Sequence, residues 1–194
     1  MFRVESQELP VVDRFVSYKT GPASTSGEPG AVIRYDRDGE VEMVNLAWGL
    51  APPEPGGRPL TLLRSEGRRF GTRRCLIPAS EFGLSSGEGK ERRRWRFELV
   101  SGDYFYFAGI WRPAEGDWPP SYAILTIAAN PDVKPYKERQ NAVILRKDRM
   151  AWLDHSAPQH ELLKPLPRGT FGAEQIDGPP VRPAAFAWGA PNAA

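Results

Sequence analysis

The hydrophobic positions of this 194-residue chain fall in short runs and alternations rather than in long helical stripes. In residues 95–100, Trp95, Phe97 and Leu99 lie on one side of an extended chain and Arg96 and Glu98 on the other, which is strand periodicity. Ser101-Gly102-Asp103 then turns the chain into 104–111 (YFYFAGIW), a largely apolar strand. Residues 31–35 (AVIRY) and 41–50 (VEMVNLAWGL) predict two strands. Asp36-Arg37-Asp38-Gly39 between them suits a turn, so the pair forms a hairpin. Residues 74–77 (RCLI) predict a short buried strand ended by Pro78, and 122–128 (YAILTIA) and 141–145 (NAVIL) predict two more.

Helical signals are fewer. Residues 60–70 suit a short helix. Residues 147–153 (KDRMAWL) predict a helix start with Asp148 in its first turn, and 156–163 another helix, stopped by Pro165. The Pro/Gly-rich stretch 52–59 cannot pair as a central strand, and 85–90 (SSGEGK) predicts a solvent-facing loop. The segment after Gly178 is rich in Pro and Ala and predicts an irregular tail. No repeat and no second domain is evident. The expected organisation is one β-rich α+β domain over 1–177, mainly antiparallel strands with a few short helices, and a tail over 178–194.

Composition narrows the function classes. Twenty prolines and nineteen glycines break the chain into short pieces, which argues against a helix bundle. No apolar run approaches the length that spans a bilayer, so no membrane role is expected. The first residues carry Glu5 and Glu8 and no basic-then-apolar leader pattern, which predicts a cytoplasmic protein. A single cysteine, Cys75, excludes an internal disulfide. With only His155 and His160 beside it, neither a metal nor another cofactor is expected. Cys75 lies in an apolar strand and reads as an inert core residue.

A net charge of +2 does not by itself mark a nucleic-acid binder. The distribution does more. Arginines cluster at Arg64, Arg68, Arg69, Arg73 and Arg74, and again at Arg92, Arg93, Arg94 and Arg96. A local basic stripe holds phosphates even on a nearly neutral protein, the alternative being a solvated surface. Arg92 to Arg94 follow a Gly-rich loop and read as a solvated tip.

Six segments, in order, resemble the SOS-response-associated peptidase (SRAP) family. They are Trp48-Gly49-Leu50; Arg64-Ser65-Glu66; Arg74-Cys75-Leu76-Ile77-Pro78-Ala79 with the turn Ser80-Glu81-Phe82 after it; Phe107-Ala108-Gly109-Ile110-Trp111; Leu125-Thr126 leading to Asn130-Pro131; and Tyr136-Lys137-Glu138-Arg139-Gln140, followed by Val143-Ile144-Leu145 and Trp152-Leu153. The resemblance implies an open barrel of strands around a DNA-facing cleft, and a partner of single-stranded or gapped DNA, with or without abasic sites. A monomer is expected.

The resemblance also implies a chemistry. Relatives attack the abasic sugar aldehyde with an amino-terminal cysteine, assisted by a glutamate and a histidine as general acid/base groups. Here residue 2 is Phe2, the glutamate position falls on Leu84, the histidine position on Lys137, and the asparagine position on Leu62. Two readings of the start stay open: loss of the cysteine, or a chain start that leaves out a short upstream segment. The three internal positions favour loss. Glu81, one turn position away, is a weaker substitute for the missing glutamate.

What the resemblance retains is the binding side. Arg64, Arg139 and Thr126 match phosphate-contacting positions, Trp48 is placed to stack on a base or support the cleft, and Arg74 is counted with them. The expected function is therefore binding of single-stranded DNA or abasic sites in the DNA damage response. The alternative is an active crosslinker or lyase. In it Lys137 is the catalytic residue, its amine forming a Schiff base with the sugar aldehyde, or an absent upstream cysteine acts instead.

Overall fold

The computed structural model describes residues 29–54 and 56–176; Phe2 and the expected tail 178–194 lie outside the described residues. The expected hairpin is formed by β1 (Pro29–Tyr35) and β2 (Val41–Trp48), antiparallel from Pro29↔Ala47 to Tyr35↔Val41. Asp36 closes its turn, its Oδ1 accepting the N–H groups of Asp38 and Glu40 at 2.8 and 2.9 Å.

Residues 60–70 do not form the expected helix. They contain β3 (Leu62–Arg64), which lies parallel to β8 (Ser121–Ala128) with Arg64 opposite Thr126. Pairing to a neighbouring strand supplies hydrogen bonds that three residues between glycine and proline breakers cannot make as a helix. β4 (Arg74–Ala79) runs through Pro78 instead of stopping there. It touches β1 only at Leu76 and otherwise pairs with β7 (Phe105–Arg112), so beyond Leu76 one edge is free of a partner that would need the missing N–H.

β8 also pairs with β2, β7 and β9 (Arg139–Asn141), and β10 (Val143–Ile144) pairs with β7. The pairings β7–β4–β1–β2–β8–β7 make a ring-like circuit, in which only β2–β8 is parallel. A separate three-stranded antiparallel sheet holds β5 (Glu81–Ser86), β6 (Arg93–Leu99) and β11 (Phe171–Gln175). β5 occupies part of the expected loop over 85–90. Its glycine and serines are poor strand formers, but Phe82 stacks on Phe97 of β6 with centroids 5.1 Å apart, and the pairing carries the rest. Two short helices, α1 (Arg149–Leu153) and α2 (Gln159–Leu162), fall within the expected helical stretches.

Alternation divides the core into two clusters. One joins Ile33, Leu76, Ala108, Leu125 and Ile144 to Trp152 and Leu153 of α1. The other joins Val32, Cys75, Ile77, Phe107, Tyr122 and Ile124 of the large sheet to Phe82, Phe97, Leu99 and Phe171 of the small one. The second cluster is thus the seam between the sheets. Cys75 lies wholly inside it, and burial pushes its thiol pKa up, so it is an inert apolar residue.

Candidate functional site

Strand alternation gathers four of the expected residues. On β8, Ala123, Leu125 and Ile127 belong to the first cluster, and Tyr122 and Ile124 to the second. Thr126 therefore shares the face of Tyr122 and Ile124. In-register neighbours on adjacent strands point the same way, which puts Trp48 beside Tyr122, Leu62 beside Ile124, Arg64 and Asn141 beside Thr126, and Arg139 beside Ala128 on this one face.

An ion-pair cluster lies at the Thr126 end. Arg139 Nη1 and Nη2 donate to the two carboxylate oxygens of Glu66 at 2.9 and 2.8 Å. Its Nη2 also donates to the Thr126 carbonyl at 2.8 Å, and Nε and Nη2 reach Thr126 Oγ1 at 3.4 and 3.2 Å. One edge of the guanidinium is thus fixed to β8 and its end holds a carboxylate in a fork. The hydrogen bond from Arg139, with further help from the charges of Arg139 and Arg64, holds the Glu66 pKa below the ordinary value. Arg64 is exposed and has no hydrogen-bond or ion-pair partner among the described residues.

A cavity of about 250 Å³ opens at the other end, between the two sheets. Five aromatic side chains line it: Trp48, Phe82, Trp95, Phe107 and Tyr122. Leu84 lines it too, opposite Trp95 in the β5–β6 register. The indole N–H of Trp48 donates to the Thr61 carbonyl at 3.2 Å and that of Trp95 to Ser86 Oγ at 2.9 Å, so both rings are anchored and offer only apolar surface. The polar groups of the lining come from Ser85, Arg94, Asn141 and the Tyr122 phenol; among the described residues it contains no carboxylate, imidazole, amine or thiol.

Arg74 corrects the expectation made for it. It shares the alternation of Leu76, on the opposite face of the strands, and is buried. Its Nε and Nη2 donate to the Phe70 carbonyl at 3.3 and 3.2 Å, Nη1 donates to the Trp152 carbonyl at 3.2 Å, and Cζ sits 4.5 Å over the Trp152 ring. The guanidinium is thus turned into the core in this structure. Lys137 is exposed in the turn between β8 and β9, where its backbone N–H donates to the Val133 carbonyl at 3.1 Å. It does not line the cavity. Glu81 lies 3.7 Å from Arg96 Nη1, an ion pair outside the cavity lining.

The Asn130-Pro131 segment proves to be scaffold. Asn130 is fully buried; its Oδ1 accepts the Val133 N–H at 3.0 Å and its backbone N–H donates to Gln140 Oε1 at 2.8 Å. Asp132 accepts the N–H groups of Gly169, Thr170 and Phe171 at 2.9, 2.9 and 3.1 Å, tying the start of β11 to this turn. Sequence reasoning passed over Asn141, Arg94 and Glu66 as site residues. Arg94 lines the cavity instead of ending in a solvated tip, and nothing in the sequence signalled it, since alternation along β6 groups it with Arg96 and not with Trp95.

A seam cavity walled by aromatics, continued along one sheet face by the Arg139–Glu66 ion pair, is the candidate site of this β-rich domain. The chain belongs to the SOS response associated peptidase (SRAP) family, whose pattern matches residues 16–183. Solved structures of similar fold include a protein from Bordetella bronchiseptica, 24% identical, TM-score 0.65, covering 82% of this chain and 90% of that one. A protein from Bacteroides thetaiotaomicron is 20% identical, TM-score 0.61, over 86% and 82% of the two chains. A phage-related protein from Bordetella bronchiseptica is 18% identical, TM-score 0.62, over 78% and 79%. No curated protein gives a match. The family sets the chain in the context of the SOS response to DNA damage. Among the described residues no helix is long and apolar enough to cross a membrane.

Proposed function

We propose that this chain holds single-stranded DNA and works without the cysteine crosslinking chemistry of its family. The observation that carries the reading is the carboxylate of Glu66, bound in a fork by Arg139 and close enough to Arg64 for its charge to be felt. Arginine matches phosphate in the same bidentate geometry, so a fork that already seats one anion, with the exposed Arg64 on the same sheet face, suits a backbone phosphate. Thr126 supports it by fixing Arg139. The aromatic cavity on the same face suits the unpaired part of a strand, and an exposed Lys137 adds a phosphate contact at the rim. Leu84 in the cavity wall and the lack of acid/base groups beside it support the absence of catalysis.

Fluorescence anisotropy with labelled oligothymidylate tests the reading. Affinity is expected to fall steeply as salt rises, with a slope of roughly −0.7 per neutralised phosphate for a single strand. Arg64→Ala with Arg139→Ala should flatten that slope by more than one and weaken binding at least tenfold (a value on the order of two lost phosphate contacts). No binding at low salt to either intact or abasic strands refutes the proposal. Borohydride treatment with an abasic strand is expected to trap no adduct; a Lys137-dependent adduct would establish a lyase instead.

A further inference from the structure

We infer that the seam cavity receives an intact, unpaired nucleobase rather than the bare sugar of an abasic site. This rests on the DNA-holding function proposed above and names the ligand of its cavity. The walls are matched to a flat, uncharged, aromatic group. Trp48, Trp95 and Tyr122 line it with Leu84 and Ile124, and both indole N–H groups are already engaged elsewhere, so the two indoles present faces and edges without polar demand. Trp95 is buttressed from behind by Tyr136, ring centroids 4.4 Å apart, so the wall is fixed before any ligand arrives.

The polar groups are few and suitably different. The Asn141 amide, at the cavity lining, has no hydrogen-bond partner among the described residues, and an amide offers adjacent donor and acceptor atoms to the edge of a base. The Arg94 guanidinium lines the same cavity and has no carboxylate partner among the described residues, and it complements the phosphate attached to the inserted nucleotide. A sugar with its hydroxyls and hydrated aldehyde would lose water to apolar walls and recover few hydrogen bonds. A base loses little and gains stacking. Continuity along the sheet face gives the strand its path. From Tyr122 and Ile124 at the cavity the face runs directly to Thr126, flanked by Arg64 and Arg139, so the next phosphate falls on the arginine pair.

The test compares two short fluorescein-labelled oligothymidylates at low salt, identical except that one carries a tetrahydrofuran abasic analogue at the central position. The intact strand should bind about tenfold tighter or more, the worth of stacking one base. Leu84→Glu, which puts a charge into the wall, should erase that preference, whereas Arg64→Ala with Arg139→Ala should weaken both strands and keep it. Equal affinities in the unaltered protein, or a preference for the abasic strand, overturn the inference and leave phosphate-led binding standing. Failure of both strands to bind overturns the function itself.

Discussion

Replacing Arg74 by methionine separates an arginine that pins the core from one that holds DNA. In the folded protein the guanidinium is buried, donates to the carbonyls of Phe70 and Trp152, and lies over the Trp152 indole. Methionine keeps most of the length and none of the donors. Each carbonyl left without a partner in the interior costs about 1–3 kcal/mol. Loss of the buried cation–π contact adds about 2 kcal/mol at most. Against these stands the relief of desolvating a cation, which burial already opposes, lowering the Arg74 pKa from its ordinary value. The net expectation is a destabilisation of about 3 kcal/mol, and for a domain of this size a drop in Tm of roughly 6–12 °C.

Urea denaturation followed by tryptophan fluorescence reads the stability. Anisotropy with oligothymidylate, measured well below the variant's Tm, reads the binding. The expected pattern is a large loss of stability with an affinity unchanged within about twofold, since the guanidinium is on the opposite face of the strands from Thr126 and Arg139. A variant as stable as the unaltered protein but with weakened, less salt-dependent binding would refute the inward assignment and restore Arg74 as a phosphate ligand.

Three further perturbations test other parts of the structure. Glu66→Gln removes the carboxylate that occupies the Arg139 fork, so affinity for oligothymidylate should rise several-fold by anisotropy; a fall would mean that Glu66 serves to position Arg139. At Asp132 burial opposes ionisation, but the N–H groups of Gly169 and Phe171, the Asn130 amide and the Thr170 N–H outweigh it, and its pKa lies below the ordinary 3.8. A depressed carboxylate contributes its stability in full above the unfolded pKa and loses it as pH falls through the folded one. Asp132→Asn should therefore be less stable than the unaltered protein at neutral pH in urea titrations, with the gap narrowing below about pH 4. Gly109→Ala places a methyl 2.5 Å from Ile77 Cδ1 and 3.0 Å from both the Ala123 carbonyl and Cys75 Sγ. Thermal unfolding should show a loss of about 1–3 kcal/mol, because the neighbours on β4 and β8 have no room to give.

Period-two patterning made β6 legible, because Trp95, Phe97 and Leu99 turn one face to a core cluster, and apolar runs made β7 and β8 legible, because their two faces lie in the two clusters. β3 and β5 were not legible. Three residues, Leu62 to Arg64, carry no measurable period, and Gly83 with two serines reads as a loop until a partner strand is known. Both exist through pairing with distant segments, β3 with β8 and β5 with β6, and no local signal carries that. The site divides the same way. Trp48, Arg64, Thr126 and Arg139 were found through ordered motifs, and the sheet brings them to one face. Arg74 lies apart from them, because residue type and neighbourhood in sequence do not say which face of a strand a side chain takes; its alternation with Leu76 sends it inward. Glu66 and Asn141 were missed because an ion pair across 73 residues and a cavity between two sheets are properties of the assembled fold.

The replaced positions also make physical sense together. A carboxylate at position 84 would face Trp95 across the β5–β6 pair, in a wall whose only cation is Arg94. Leucine there forms an aliphatic–aromatic cross-strand pair, worth about 0.2–1 kcal/mol, and removes the need to solvate a charge. Leu62 lies beside Ile124 on β8, with nearly half of its surface exposed along the face that leads to Arg64, and puts an apolar side chain where an asparagine is expected. Both leucines thus give the cleft apolar surface. The arginine–threonine cluster is built on different contacts, from β3, β8 and β9, and none of them passes through position 84. On the proposed reading, binding and chemistry rest on separate sets of residues in this fold, so one can be lost while the other is retained.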